Sequence, residues 1–428
     1  MTERTSSASE LSPVVARSII ESLTDGVVPR VGAHLLSAGR EKWLQSLAED
    51  LEDLADPDSI DGRLRIVNGR NGDGKTHLMQ LIRQRALRAG FVVSYVVISD
   101  DVPLYRWDLT YREIGRNLAT QNRPDSPGLR SILNPQSPDP AIADGFSSKA
   151  AAIRTVGGLH PSFAEVIYRY CTEQTVNVDS AQDMLLLGSW LEGHAQRLSG
   201  VGVAGTVDRA NGAAMLRSLG RALRYFGYHG LVVLVDEVES VLSLKAPQRR
   251  ESYQTLRLLV DRESTPPGAL IVASTTPPMF TDTERGMSTY PALWSRVRPE
   301  SDPKFVNYNS TLIDLTRTPL TEVNYVEIGR WIRLIHARAR AWEPLARVSD
   351  EFLAAAARVA AAGRLTLAYS PTRVFVKLLA DTLELAHQHP DFRSSIEGLQ
   401  ERFGNVDEQL VKAKSAPRQA SRGAGGEE

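Results

Sequence analysis

The chain has 428 residues, which corresponds to two or three domains or to one large domain with an insertion. Hydrophobic residues make up 42% and charged residues 24% of the chain, so it is neither a wholly disordered nor a fibrous protein. Lys and Arg together number 50 against 51 Asp and Glu, and the resulting net charge of -1 excludes a global attraction to nucleic acid or to an anionic membrane.

The cysteine content and the apolar runs bear on the cellular compartment. Cys171 is the single cysteine, so the chain forms no internal disulfide and no cysteine-based zinc site. The N-terminal segment lacks the apolar core of a signal peptide, and no later run approaches the roughly 18 apolar residues of a membrane helix. We therefore expect a soluble, cytoplasmic protein without membrane contact.

Short runs rich in β-branched residues predict a sheet. After a tail at residues 1–12, which we expect to be disordered, the leucines of REKWLQSLAEDLEDLA predict an amphipathic helix. Five buried strands are then predicted at LRIV from Leu64, FVVSYVVIS from Phe91, LVVLV from Leu231, ALIVAS from Ala269 and TLIDL from Thr311. Helical patterns lie between several of them, so the predicted fold class is α/β with a five-stranded parallel sheet covered on both faces.

The spacing of the strands predicts an insertion and a second domain. About 130 residues separate the second and third strands, far more than one crossover helix needs, and their periodicity predicts a helical insertion at about 121–228. We expect the α/β core to cover 13–318 and a helical domain to cover 319–404, followed by a disordered tail at 405–428. Pro371 suits the first turn of the last helix of that domain.

A phosphate-binding motif directly follows the first predicted strand. The segment GRNGDGKT matches the P-loop pattern of Gly, four residues, Gly-Lys-Ser/Thr, and a helix-forming stretch follows it. Lys75 is expected to contact the β- and γ-phosphates of ATP, and the Thr76 hydroxyl to ligate Mg²⁺. A chance Gly-rich turn is the alternative, which the flanking strand and helix disfavour. The predicted ATP-binding residues are Gly69, Asn71, Gly72, Asp73, Gly74, Lys75, Thr76 and His77.

Two acids end the third predicted strand. In an open parallel sheet, ligands lie at the carboxyl ends of the strands, so Asp236 and Glu237 are expected beside the P-loop. Asp236 fits the Mg²⁺-associated carboxylate, and Glu237 fits the base that polarises an attacking water. The alternative is that both acids cap the following helix.

Further polar residues lie where phosphoryl transfer would need them. Thr275, at the end of the fourth strand, suits a hydrogen bond to the attacking water or the γ-phosphate, although hydroxyl residues also end strands for turn reasons. Arg296 and Arg298 precede the fifth strand, and Arg373 begins the last predicted helix. A guanidinium group can stabilise the charge that develops during the reaction, but spacing alone does not select these arginines.

In this order, the motifs resemble those of AAA+ ATPases over about residues 27–387, excluding the insertion. The resemblance implies that Thr275 is a sensor, although many AAA+ proteins carry Asn there, and that Arg373 is a second sensor on a helical lid. It also implies an arginine finger that reaches a neighbouring subunit, for which Arg296 is the first candidate and Arg298 competes. Lys75 and Glu237 would complete the catalytic set.

Four longer strings are similar to the ATP-binding proteins of bacterial BREX anti-phage systems, of the BrxC/BrxD type and closest to BrxD: GVVPRVGAHLLSAGREKWL, NGRNGDGKTHLMQLIRQRA, SYVVISDDVPLYRWD and GYHGLVVLVDEVESV. The resemblance implies an ATP- and Mg²⁺-dependent motor or switch that self-associates and works with other BREX-type proteins. The alternative is a nucleotide-controlled scaffold with little turnover that recruits proteins or DNA. Since no sequence-reading DNA motif is present, DNA contact would be non-specific.

Overall fold

The structure, a computed structural model of the chain, describes residues 11–125, 128–172, 179–194, 205–299, 305–363 and 367–415. The chain divides into two compact units. The sheet unit comprises residues 40–69 and 75–317, and the helical unit comprises residues 1–39, 70–74 and 318–428.

The helices are named in chain order. They are α1 (Pro13–Thr24), α2 (Glu41–Ala55), α3 (Lys75–Arg88), α4 (Trp107–Arg116), α5 (Gly128–Ile132), α6 (Phe146–Ala152), α7 (Pro161–Thr172), α8 (Asp179–Leu191), α9 (Gly212–Phe226), α10 (Ala246–Val260), α11 (Pro278–Thr281), α12 (Pro291–Val297), α13 (Glu322–Arg340), α14 (Asp350–Ala361), α15 (Pro371–Gln388) and α16 (Leu399–Ser415). Among the described residues, no helix combines the length and the apolar character needed to cross a bilayer.

A six-stranded sheet organises the sheet unit. Its strands are β1 (Arg63–Asn68), β2 (Val92–Val97), β3 (Leu118–Ala119), β4 (Leu231–Asp236), β5 (Ala269–Thr275) and β6 (Leu312–Asp314). They lie in the order β3-β2-β4-β5-β1-β6, and every pair except β2 with β3 is parallel. All residues of β4 and β5 are buried, as expected for strands covered on both faces.

The sheet differs from the predicted five-stranded parallel sheet by one strand. The five predicted strands correspond to β1, β2, β4, β5 and β6, and β3 adds a short antiparallel edge to β2. Leu118 pairs with Ser94 and Ala119 with Val93. The prediction of five strands was wrong because a strand of two residues, directly after α4, is too short to show any periodicity.

One hydrophobic core joins the sheet to the helices of the predicted insertion. Val233 of β4 and Ile271 of β5 belong to the same buried cluster as Phe163 of α7 and Trp190 of α8. Cys171 is also buried in this cluster, and its burial raises the pKa of the thiol to about 12. The insertion helices are therefore part of the sheet unit.

The helical unit has its own core, formed by α1 and α13 to α16. Residues 13–39, which the sequence placed with the α/β core, group with this unit because the apolar face of α1, including Ile19 and Ile20, joins its core. Pro371 occupies the first turn of α15, as predicted. Helix α16 extends beyond residue 405, where the tail was expected to begin, because Val406 and Leu410 are buried; residues 1–10 and 416–428 lie outside the described residues.

Candidate functional site

The P-loop connects β1 to α3, and its backbone shows why glycine is needed there. Gly72 and Gly74 have φ angles of 97° and 91°, in the left-handed region that other residues rarely adopt. At the start of the loop, the Gly69 amide donates a hydrogen bond to the carbonyl oxygen of Thr275 at 3.2 Å, which fixes the loop to the end of β5. The loop geometry is therefore specified by backbone contacts and by glycine.

Lys75 and Thr76 begin α3, within the sheet unit. The Lys75 side chain is only 8% exposed, and its Nζ donates to the carbonyl oxygen of Gly69 at 2.8 Å. His77, the next residue, is half-buried. The amine of Lys75 is thus held at the start of the loop, at the positive end of the new helix.

Asp236, the last residue of β4, accepts hydrogen bonds from two strands, one helix and the next backbone amide. Its Oδ1 accepts from the Ser274 hydroxyl and from the Glu237 amide at 3.0 Å, and its Oδ2 accepts from the Tyr95 hydroxyl and from Thr76 Oγ1 at 3.2 Å. We call these five residues the Asp236 cluster. The structure thus brings Asp236 beside the P-loop residue Thr76.

Tyr95 and Ser274 are members of this cluster that the sequence analysis missed. Burial raises the pKa of the Tyr95 phenol above its ordinary value, and the charge of Asp236 and the hydrogen bond to it add to the effect. The phenol therefore remains protonated and donates to the carboxylate. The available signal was that Tyr95 and Ser274 place hydroxyl groups within largely apolar strands.

Glu237 adopts a conformation that is uncommon for a non-glycine residue. Its φ is 58°, in the left-handed region, and its side chain is exposed. The residue precedes the short 3-10 helix Val238–Ser243, but its side chain makes no capping hydrogen bond to that helix. Strained backbone of this kind persists where surrounding contacts enforce it, and here the Glu237 amide is bound by Asp236 and lies 3.3 Å from Ser274 Oγ.

Three buried polar atoms near the carboxyl ends of the central strands have no hydrogen-bond partner among the described residues. They are Asn68 Oδ1, Thr275 Oγ1 and Glu239 Oε2. Asn68 and Thr275 are paired in register between β1 and β5. Burial raises the pKa of Glu239, while the charge of Lys75 opposes the shift. Unpaired buried polar groups are rare in proteins and suit a polar ligand.

The arginines before β6 differ in their contacts. Arg296, at the end of α12, forms an ion pair with Asp261. Arg298, two residues later, is exposed, and its side chain forms no hydrogen bond or ion pair with any described residue. No described contact joins either arginine to the Asp236 cluster, so the chain alone does not bring them to the predicted catalytic residues.

Within the helical unit, the start of α15 packs on the tip of the P-loop. The Ser370 amide donates to the carbonyl oxygen of Asn71 at 2.8 Å, and a Cβ at Gly72 would lie 2.7 Å from the Cβ of Arg373. The Arg373 guanidinium lies 4.7 Å from the centre of the Tyr369 ring, and its Nε has no partner among the described residues. The Asp73 carboxylate folds back to accept from the Arg70 amide at 2.6 Å.

A comparison with protein families identifies the chain. The family model for the BREX system ATP-binding protein BrxC/D matches residues 11–135 and 146–399. The match covers most of the chain, so the protein belongs to this family, which confirms the resemblance predicted from the sequence. Searches of curated proteins and of solved structures gave no significant match.

The contact between Tyr95 and Asp236 predicts a pH-dependent loss of stability on Tyr95→Phe. Removing a donor to a buried carboxylate should lower the free energy of unfolding by about 1.5–3 kcal/mol at pH 7. Because the raised pKa favours folding only while the phenol is protonated, this contribution is present below the unfolded pKa near 10 and declines as the pH rises above it.

The difference between parent and variant should therefore narrow above pH 10, as measured by urea denaturation. Tyr225→Phe is the control, because the Tyr225 hydroxyl makes no hydrogen bond with a described residue, and it should change the free energy by less than about 0.5 kcal/mol. If the two substitutions changed the free energy of unfolding equally, the assignment of Tyr95 as a stabilising donor to Asp236 would be contradicted.

Proposed function

We propose that this member of the BREX system ATP-binding protein family is an Mg²⁺-dependent AAA+ ATPase that hydrolyses ATP to ADP and phosphate. It would act as a motor or switch in a bacterial BREX-type phage-defence complex. The observation that carries the proposal is the Asp236 cluster, in which the P-loop residue Thr76 contacts the carboxylate that precedes Glu237.

The residues present suit ATP and Mg²⁺. Left-handed glycines allow the loop amides to face phosphate oxygens, and Lys75 adds a cation at the same loop. Thr76 and Asp236 supply the hydroxyl and carboxylate oxygens that Mg²⁺ prefers, and they are already within hydrogen-bond distance of each other. Bound Mg²⁺ neutralises phosphate charge, and the unpaired Asn68 and Thr275 atoms add polar groups nearby.

Each proposed catalytic residue has a separate task. Glu237 presents an exposed carboxylate directly after Asp236 and would accept the proton of the attacking water. Lys75 would orient the phosphates, and the buried Thr275 hydroxyl would report on the γ-phosphate as a sensor. Arg373 would sense nucleotide from the helical unit, which its contact with Gly72 at the loop tip supports.

The arginine finger would act between subunits of a self-associated protein. Arg296 holds the position that the family pattern favours, but it is engaged with Asp261 of its own chain. Arg298 is exposed without an ion pair to a described residue, which makes it the better candidate to stabilise charge in a neighbouring site.

One observation favours the alternative of a nucleotide-controlled scaffold with little turnover. Asp236 accepts four hydrogen bonds from the protein. For Oδ2 to coordinate Mg²⁺ directly, at least one of its two donors, Thr76 and Tyr95, would have to move away. A site that rearranges when Mg²⁺ and nucleotide bind suits a switch as well as an enzyme. Phosphate release over many turnovers, with and without DNA or partner proteins, separates the two functions.

Lys75→Ala is expected to abolish tight ATP binding, because it removes the cation held at the loop while the fold is retained. Isothermal titration calorimetry with Mg²⁺-ATP measures the affinity, and thermal melting confirms folding. Lys245→Ala, at an exposed lysine, is the control and should bind ATP like the parent. Unchanged affinity in a folded Lys75→Ala protein would refute the P-loop assignment.

Glu237→Gln is expected to keep ATP affinity and to slow hydrolysis by about 10²–10⁴-fold, since the amide fits the same space but accepts no proton from water. Steady-state phosphate release measures the rate. Glu284→Gln, at an exposed acid, serves as the control and should leave the rate unchanged. If Glu237→Gln hydrolyses ATP at the parent rate, the catalytic assignment fails and the scaffold gains support.

Mixing experiments distinguish the arginines. Arg298→Ala should lower hydrolysis by about 10³-fold, and addition of Lys75→Ala subunits should restore part of it, because an intact finger from one chain completes an intact P-loop of another. Addition of Lys75→Ala subunits should not rescue Arg373→Ala, because Arg373 would act on the P-loop of its own chain. If mixing restores hydrolysis to Arg296→Ala but not to Arg298→Ala, the finger is Arg296. If neither variant regains hydrolysis in assemblies verified to be mixed, the result contradicts a finger that acts between subunits.

A further inference from the structure

Three segments of the sheet unit that contribute no residue to the Asp236 cluster converge. They are the end of α4, the start of α5 and the residues that follow α8. A Cβ at Gly115 would lie 3.3 Å from the Cα of Glu192, one at Gly128 would lie 3.1 Å from the carbonyl oxygen of Arg116, and one at Gly193 would lie 3.1 Å from the Cα of Arg112. Glycine at these positions allows the three backbones to approach closely.

This convergence brings four basic side chains to one surface, which we call the basic cluster: Arg112, Arg116, Arg130 and His194. Arg112 and Arg116 are four residues apart and share a face of α4. The aliphatic part of Arg130 crosses α8 at Gly188, where a Cβ would lie 2.4 Å from its Cδ. His194 follows Gly193, which packs against Arg112, and its pKa is lowered by burial and further by the charges of the three arginines.

The positive charge of the basic cluster is only partly neutralised within the protein. Arg130 forms an ion pair with the buried Glu192 at 2.7 Å. The side chains of Arg112 and Arg116 form no hydrogen bond or ion pair with any described residue. Two like charges at this helical spacing are mutually unfavourable, so the surface favours an anion from outside the chain.

We propose that the basic cluster binds the phosphate backbone of duplex DNA without reading its sequence. Guanidinium groups match phosphate oxygens in geometry and charge. Arg116 is exposed, the Arg130 side chain is 42% exposed and Arg112 is half-buried. Single-stranded nucleic acid is bound largely by stacking on aromatic rings, but Tyr111, Tyr170 and Trp190 beside the cluster are buried. With a net charge of -1 on the chain, such binding requires a local concentration of positive charge.

The test compares two charge-matched double variants of the full chain. Arg112→Gln/Arg116→Gln removes two cations of the cluster, and Arg88→Gln/Arg250→Gln removes two exposed arginines elsewhere in the sheet unit. Fluorescence anisotropy with a labelled DNA duplex of about 30 base pairs measures the affinity of each variant for DNA, at salt concentrations from about 50 to 200 mM. Calorimetry with Mg²⁺-ATP, which should be unaffected, separates this proposal from the ATPase function.

The cluster variant should lose at least about tenfold in duplex affinity at low salt, and its plot of log affinity against log salt should become shallower by about 1.8, or 0.9 per lost contact. Arg112→Lys/Arg116→Lys should retain most of the binding, which guards against a folding defect. Equal affinity and slope in the two glutamine variants, or no duplex binding by the parent, would overturn the proposal. The proposal would also be overturned if Arg112→Gln/Arg116→Gln lowered the affinity for single-stranded DNA but not for the duplex.

Discussion

The arrangement of the candidate site depends on the hydrogen bonds that converge on Asp236. Donors from β2, β5 and α3, together with the next backbone amide, fill both oxygens of one carboxylate. A buried carboxylate is tolerated only when it is paired in this way, so the same contacts that stabilise the charge also fix its position. The carboxylate in turn holds the Glu237 amide, and with it the left-handed backbone that presents the Glu237 side chain.

The parallel register of the sheet makes this convergence possible. Leu234 lies opposite Tyr95 and Val235 opposite Ala273, so Asp236, one residue beyond, meets the ends of two neighbouring strands at one edge. Because β1 pairs with β5 through Asn68 and Thr275, the start of the P-loop reaches the same edge. A shift of one residue in any of these pairings would turn the polar side chains into the helices that cover the sheet.

The apolar runs were sufficient to predict the α/β class and five of the six strands, and their order explains why the acids that end β4 lie beside Thr76. The two-residue β3 could not be predicted, because it depends on tertiary pairing with β2 and has no period of its own. Tyr95 and Ser274 were missed for a different reason: a hydroxyl in a largely apolar strand does not indicate which residue it will face. The ion pair of Arg296 with Asp261 joins residues 35 positions apart, and only the fold brings them together.

The burial of Cys171 has a practical consequence for spectroscopy. A thiol that is 5% exposed and whose pKa is raised to about 12 carries almost no thiolate at neutral pH, so it reacts slowly with maleimide or iodoacetamide reagents. The natural chain therefore offers a background that is silent to thiol labelling. A cysteine introduced at an exposed position would accept a fluorescent dye selectively, without removal of the native cysteine.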